Sequence, residues 1–264
     1  MKKLRLYRIV VVLCLIGALI TSTSCIRKKK DWGKVVSKNI TVAPFDSIEA
    51  RGNSNIFFKQ GNAFKVRIEA PEKMLPYVKV RVENGRLSVS LDRIPNLYNN
   101  LGAIHFNSSL HPEHEGEIKI YSELDIKVYV EAPKLSYICT MNNADFEITS
   151  PLAVDSLEAV ALNNSEIEID EIVGKSLNIS LSNNASMEIS KVTVDKAAYE
   201  VFNNADATIE HDRSGKVEAS TLNNASITLK GTVRQAVIEH SANNSDITNH
   251  YCPRKSFNNL LKLL

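Results

Sequence analysis

The sequence predicts an all-β chain built as a parallel β-helix, a solenoid whose coils are about 20 residues long. Three observations predict it. An Asn-Asn pair recurs at 142, 163, 183, 203, 223 and 243, so the pairs stand 21 residues apart once and 20 apart thereafter. Apolar and polar residues alternate on both sides of every pair, which is the period of a strand with one face inside. No stretch between 37 and 250 shows a convincing helical period.

The unit follows from its alternation. Two residues beyond the first Asn of each pair stands a small side chain: Ala144, Ser165, Ala185, Ala205, Ala225 or Ser245. Two further on stand Phe146, Ile167, Met187, Ala207, Ile227 and Ile247, then Ile148, Ile169, Ile189, Ile209, Leu229 and finally Asn249. A second alternating stretch, such as Leu177-Asn178-Ile179-Ser180-Leu181, precedes each pair. A unit therefore reads as strand, loop, strand and Asn-Asn turn. Twenty residues cannot enclose a core, but stacked coils can, each inward residue lying about 4.8 Å from its counterpart. This describes a flattened β-helix with two parallel sheets. A string of independent hairpins accounts less well for the constant coil length. Asn suits the corner because it tolerates the left-handed backbone region. Its amides can also bond from coil to coil, so Asn142, Asn163, Asn183, Asn203, Asn223 and Asn243 are expected to form a structural ladder.

Residues 136–250 form the repeat, and residues 37–135 form an N-terminal β part. In the latter, Val42–Ala50, Ser54–Gly61, Phe64–Ala70, Val78–Val82 and Arg86–Leu91 read as strands, the last after an Asn84-Gly85 turn. The repeat register extends back one coil through Leu124, Ile126 and Val128. Residues 94–116 form a polar loop with His105, His111 and His114; Pro112 denies these a helical frame, and the loop is read as solvated rather than metal-binding. Residues 251–264 form a tail in which Phe257, Leu260, Leu261 and Leu264 have the spacing of a short capping helix.

The first 25 residues read as a lipoprotein signal. Lys2, Lys3, Arg5 and Arg8 precede an apolar run from Ile9 to Ile20, too short to span a bilayer. Thr21-Ser22-Thr23-Ser24-Cys25 then matches a lipobox, with Ser22 where Leu is usual and Cys25 as the lipidated residue. Residues 26–36 make a basic tether. The reading places the protein in the cell envelope, anchored to the outer membrane by its lipid and facing the periplasm or the surface. Cys139 and Cys252 are the cysteines left for the mature fold, and five coils of rise, about 24 Å, argue against their pairing. A net charge of +2 with 23% charged residues points to no nucleic-acid partner.

Phe45-Asp-Ser-Ile48, Gln60-Gly61, Val80-Arg-Val-Glu-Asn-Gly-Arg-Leu87, Val128-Tyr-Val-Glu-Ala-Pro133 with Leu135, and the turn-centred repeats resemble the head GIN domain family over roughly residues 37–250. These are autotransporter-adhesin heads found among lipoproteins of Bacteroidetes-type bacteria. The resemblance implies a right-handed, pectin-lyase-like superhelix without conserved catalytic residues, and a role in cell adhesion. The family's usual Gly-Ser-Gly turn is here Asn-Asn-Ala or Asn-Asn-Ser, and the helical tail is atypical.

The functional expectation is a non-catalytic envelope protein offering a long β surface to a glycan or protein ligand. A structural or regulatory envelope component and a polysaccharide-active β-helix enzyme are the alternatives. Enzymatic acid–base work needs a basic acceptor beside clustered carboxylates, whereas Lys175, Lys191, Lys196, Arg213, Lys216, Lys230 and Arg234 fall away from the acids or at strand ends. Those acids are Asp145, Glu147, Glu166, Glu168, Asp170 and Glu188, on outward places of the first strand. In register they repel, with Lys127 expected one coil above Glu147. Such a face suits calcium or a basic partner surface, or stays solvated; no other cofactor is implied.

Overall fold

The computed structural model describes residues 32–92 and 126–251. The signal peptide, Cys25, most of the tether, the 94–116 loop, Leu124, Cys252 and the tail beyond Tyr251 lie outside the described residues.

The repeats stack as strands in parallel register. β8 (Tyr137–Met141), β9 (Asp145–Ile148) and the start of β10 (Leu152–Leu162) follow one another around a coil. β11 (Glu166–Ile169), β12 (Ile172–Ser182), β13 (Ser186–Phe202), β14 (Asp206–Ser214), β15 (Lys216–Leu222), β16 (Ser226–Val233), β17 (Ile238–Ala242) and β18 (Asp246–Tyr251) continue the path. On the first face Ile138, Ala159, Ile179, Tyr199, Ala219 and Glu239 lie in one column. On the second, Ile148, Ile169, Ile189, Ile209 and Leu229 do, and all five are buried. Each such side chain, fully enclosed, contributes about 1.5–3 kcal/mol.

A third face corrects the expectation of two sheets joined by loops. Leu152–Val154 pairs in parallel with Ile172–Gly174, and that run with Val192–Val194. Leu152, Ile172 and Val192 point inward and are buried. A run with one or two inward residues is too short to display a period, which is why it reads as loop.

The Asn-Asn corners stand as expected. Both Asn residues of every pair have φ between 54° and 65°. The side-chain amide of Asn163 donates to Asn142, Asn183 to Asn163, Asn203 to Asn183, Asn223 to Asn203 and Asn243 to Asn223, at 2.9–3.2 Å. The backbone runs the other way: Asn142 N–H donates to Leu162 and Asn163 N–H to Ser182, both at 3.2 Å. Each corner is thus bonded in both directions along the stack.

The coil before Asn142 comes from far upstream, a second correction. β2 (Ser47–Arg51) pairs in parallel with β8, and β3 (Asn55–Gln60) with β9. Gly52-Asn53-Ser54 makes its corner: Gly52 has φ +74°, its N–H donates to Met141, and Ser54 is buried where later coils have Ala or Ser. The segment expected there instead becomes β7 (Lys127–Ala132), which stacks on the far side of β3 through Lys127↔Asn55 and Val128↔Ile56. Antiparallel strands finish this end. β4 (Lys65–Pro71) pairs with β7, and β1 (Val35–Ile40) with β4. β5 (Val78–Glu83) and β6 (Arg86–Leu91) form a hairpin through Asn84 and Gly85, both at positive φ as a two-residue turn requires, and β6 pairs with β2.

Candidate functional site

The acidic residues come together on the outer side of the second face because period-2 alternation turns their side chains out while Phe146, Ile167 and Met187 turn in. One column holds Asp145 and Glu166, followed by Ser186; the next holds Glu147, Glu168 and Glu188, followed by Thr208. Asp170 stands just beyond β11, its N–H donating to Ile148 at 2.9 Å. The acids are densest over three coils, and the Asp145 column carries on through Asp206 and Asp246 with a Ser on each rung between.

The columns begin differently from the sequence reading. Lys127 stands not above Glu147 but in the Asp145 column, one strand away beyond Asn55. The neighbour of Glu147 is Phe57. Asn55, Phe57, Asp145, Glu147, Glu166 and Glu168 border a cleft of about 160 Å³. Partial burial, then the Glu166 and Glu168 charges, push the Asp145 carboxyl up to about 6. Desolvation, followed by Glu166, Glu147, Glu188 and Asp170, also raises Glu168. These carboxylates stand side by side in ladders rather than around a point. Among the described residues no group of three or more His, Cys, Asp or Glu is arranged to hold a metal ion.

Basic side chains pair elsewhere. Lys175 meets Asp155 at 2.7 Å and Lys191 meets Glu171 at 2.8 Å, each joining neighbouring coils, while Arg234 reaches past the Gly215 rung to Asp195 at 2.7 Å, all on the side away from the Asn corners. Exposed pairs of this kind contribute little to stability.

Several buried polar groups escaped the sequence reading, His211 of the repeats among them. His211 is 2% exposed, and its Nε2 lies 2.8 Å from Tyr199 Oη. Among the described residues its Nδ1 has no hydrogen-bond partner, and the Tyr251 ring packs edge-on against the imidazole. Desolvation pulls the imidazole down to about 4. The signal was available: Ala205, Ala207 and Ile209 face inward, and the same parity puts His211 inside.

Coils stacked in parallel and closed by Asn corners around an apolar core define a β-solenoid. The family described as "Putative auto-transporter adhesin, head GIN domain" matches residues 44–230, and the chain belongs to this family. Two solved structures described as putative adhesins share the fold. That from Parabacteroides distasonis is 18% identical with a TM-score of 0.56, over 83% of this chain and 98% of its own. That from Parabacteroides merdae is 17% identical with a TM-score of 0.53, over 82% and 96%. A third, described as a putative lipid binding protein from Parabacteroides distasonis, is 17% identical with a TM-score of 0.53, over 82% and 97%. Comparison with curated proteins finds no match.

Proposed function

We propose that this chain is a non-catalytic envelope lipoprotein that works as an adhesin-like binding surface. The observation that carries the reading is the stack itself. Six Asn-cornered coils and the Gly52 coil hold long outer faces in fixed register through two-way corner bonding, and such solenoids present extended binding surfaces. Membership of an adhesin family supports the same reading. The lipobox at Thr21–Cys25 supports processing at Cys25 and anchoring of the mature N-terminus in the outer membrane. The ligand is a glycan or protein of the cell envelope or its surroundings.

Intact cells expressing the full chain test this. The wild type should take up labelled fatty acid and sediment with outer membranes, whereas Cys25→Ala should do neither. Deletion of the protein should reduce attachment of cells to a glycan- or protein-coated surface. Unchanged attachment would count against adhesion, and label in the Cys25→Ala chain would count against the anchor.

A further inference from the structure

The outer side of the second face carries another surface next to the acids. Across β3, β7 and β4 two rows of outward side chains run side by side. Phe57, Tyr129 and Arg67 form one row; Lys59, Glu131 and Lys65 form the other. A trough of about 710 Å³ lies along them, with Thr149 after β9 at one end and Asn39 of β1 at the other. Five strands at ~4.8 Å spacing give it a length of about 19 Å.

The first row is a stack. The rings of Phe57 and Tyr129 lie 5.2 Å apart and within 22° of parallel, and the Arg67 guanidinium sits 4.1 Å from the Tyr129 centroid. Both faces of Tyr129 are thus occupied, and the ring edges, the positive part of the aromatic quadrupole, turn sideways. In the second row Lys65 pairs with Glu131 at 3.1 Å, while Lys59 makes no ion pair with any described residue. Arg67 is also ion-paired, with Glu69 on its own strand, so the trough sets Lys59, Lys65 and Arg67 against Glu131 and Glu69 and keeps one cation, Lys59, in excess beside the two ring edges, which favours an anion.

The strands beneath it, β9, β3, β7 and β4, are paired on both sides. A peptide lying across them would find no free main-chain partner. The occupant must be recognised through groups on its own periphery. A sugar chain bearing carboxylates has these: carboxylates for Lys59 and Lys65, hydroxyls for Glu131, Asn39 and Thr149, and C–H surface for the ring edges. We infer that the trough binds an acidic glycan extended along the solenoid axis. The inference rests on the reading of this chain as a binding protein and gives that reading a ligand class.

The test presents the full chain in detergent with immobilised uronate oligosaccharides, their carboxyl-reduced neutral counterparts, and polyglutamate. The wild type should hold the uronate chains above both others, and more weakly as salt rises. Lys59→Gln/Lys65→Gln should lower that binding at least tenfold with its melting curve nearly unchanged, because only one exposed ion pair is lost, whereas Lys175→Gln, on another face, should bind as the wild type does. Equal retention of the neutral sugars, preference for polyglutamate, no binding to any of the three, or full binding by the double variant would each overturn the inference. Attachment of intact cells is scored separately, so attachment that survives the double variant removes the trough and leaves the adhesin reading standing.

Discussion

At the scale of single residues, inward and outward places differ sharply. Ile169 and Ile189 are 2% and 1% exposed in adjacent rungs of one column, and a carboxylate at either would have no partner. Ile169→Asp or Ile189→Asp should cost more than about 4 kcal/mol. Glu168→Lys, one place away, should melt at or above the wild type, because it relieves the repulsion from Glu147 and Glu188 on either side. The reverse ranking in thermal melts would place the facing one residue out of phase.

His211 and Asp145 set opposing responses to acid. The folded imidazole titrates near 4 against an ordinary 6.5, so the unfolded chain takes up its proton first. The stability His211 allows is complete above pH 6.5 and falls by roughly 3 kcal/mol as pH drops to 4. Asp145 runs the other way: its folded carboxyl titrates near 6 against 3.8, so protonation below pH 6 removes a charge disfavoured by desolvation and by the Glu166 and Glu168 carboxylates. Asp145 is only partly buried and keeps contact with solvent, and screening keeps that gain small. Denaturant titrations from pH 7 to 4 should show a flatter profile for His211→Phe than for the wild type. Asp145→Asn should be more stable than the wild type at pH 7 and lose that advantage by pH 4.

At the scale of the coil, the corner decides. Asn183 has φ +60°, donates to Asn163 and accepts from Asn203. Asn183→Ala loses both bonds and strains the backbone, costing roughly 2 kcal/mol; Asn183→Gly keeps the backbone relaxed and should cost about half of that. Gly52 provides a converse test. A Cβ there meets nothing nearer than Leu91 Cβ at 3.9 Å, and φ is +74°. Gly52→Asn can extend the ladder to Asn142, so its melting temperature should equal or exceed that of the wild type. Asn53, unlike the second Asn of every later pair, is not at positive φ, so a clear loss would show that the ladder bond cannot form from a corner with one left-handed residue.

The whole molecule behaves as a one-dimensional stack. Removing residues 163–182 joins Leu162 to Asn183 and restores the Asn-Asn phase, so this deletion should fold cooperatively with a modestly lower melting temperature. Removing ten residues, 163–172, shifts every later rung and should abolish the cooperative transition. Cys139 is buried and free, and desolvation raises its thiol pKa. Native chain should therefore resist alkylation at Cys139, and a non-reducing peptide map should find it unbridged to Cys252.

The all-β class, the coil length, the corners and the facing of nearly every core residue from 144 to 229 were legible in the sequence. Each repeats at one period, and a strand's facing is a local property of alternation. The N-terminal closure was not. β2 and β3 pair with strands 90 residues onward, and Gly52-Asn53-Ser54 performs the corner's task with a different residue. Only the folded chain brings Phe57 beside Glu147, moves Lys127 to another column and aligns Phe57, Tyr129 and Arg67 across three strands. Alternation states which side of a strand a residue faces. Which residue stands next to it depends on strand order, and strand order is decided by pairing between distant segments, on which the local sequence is silent.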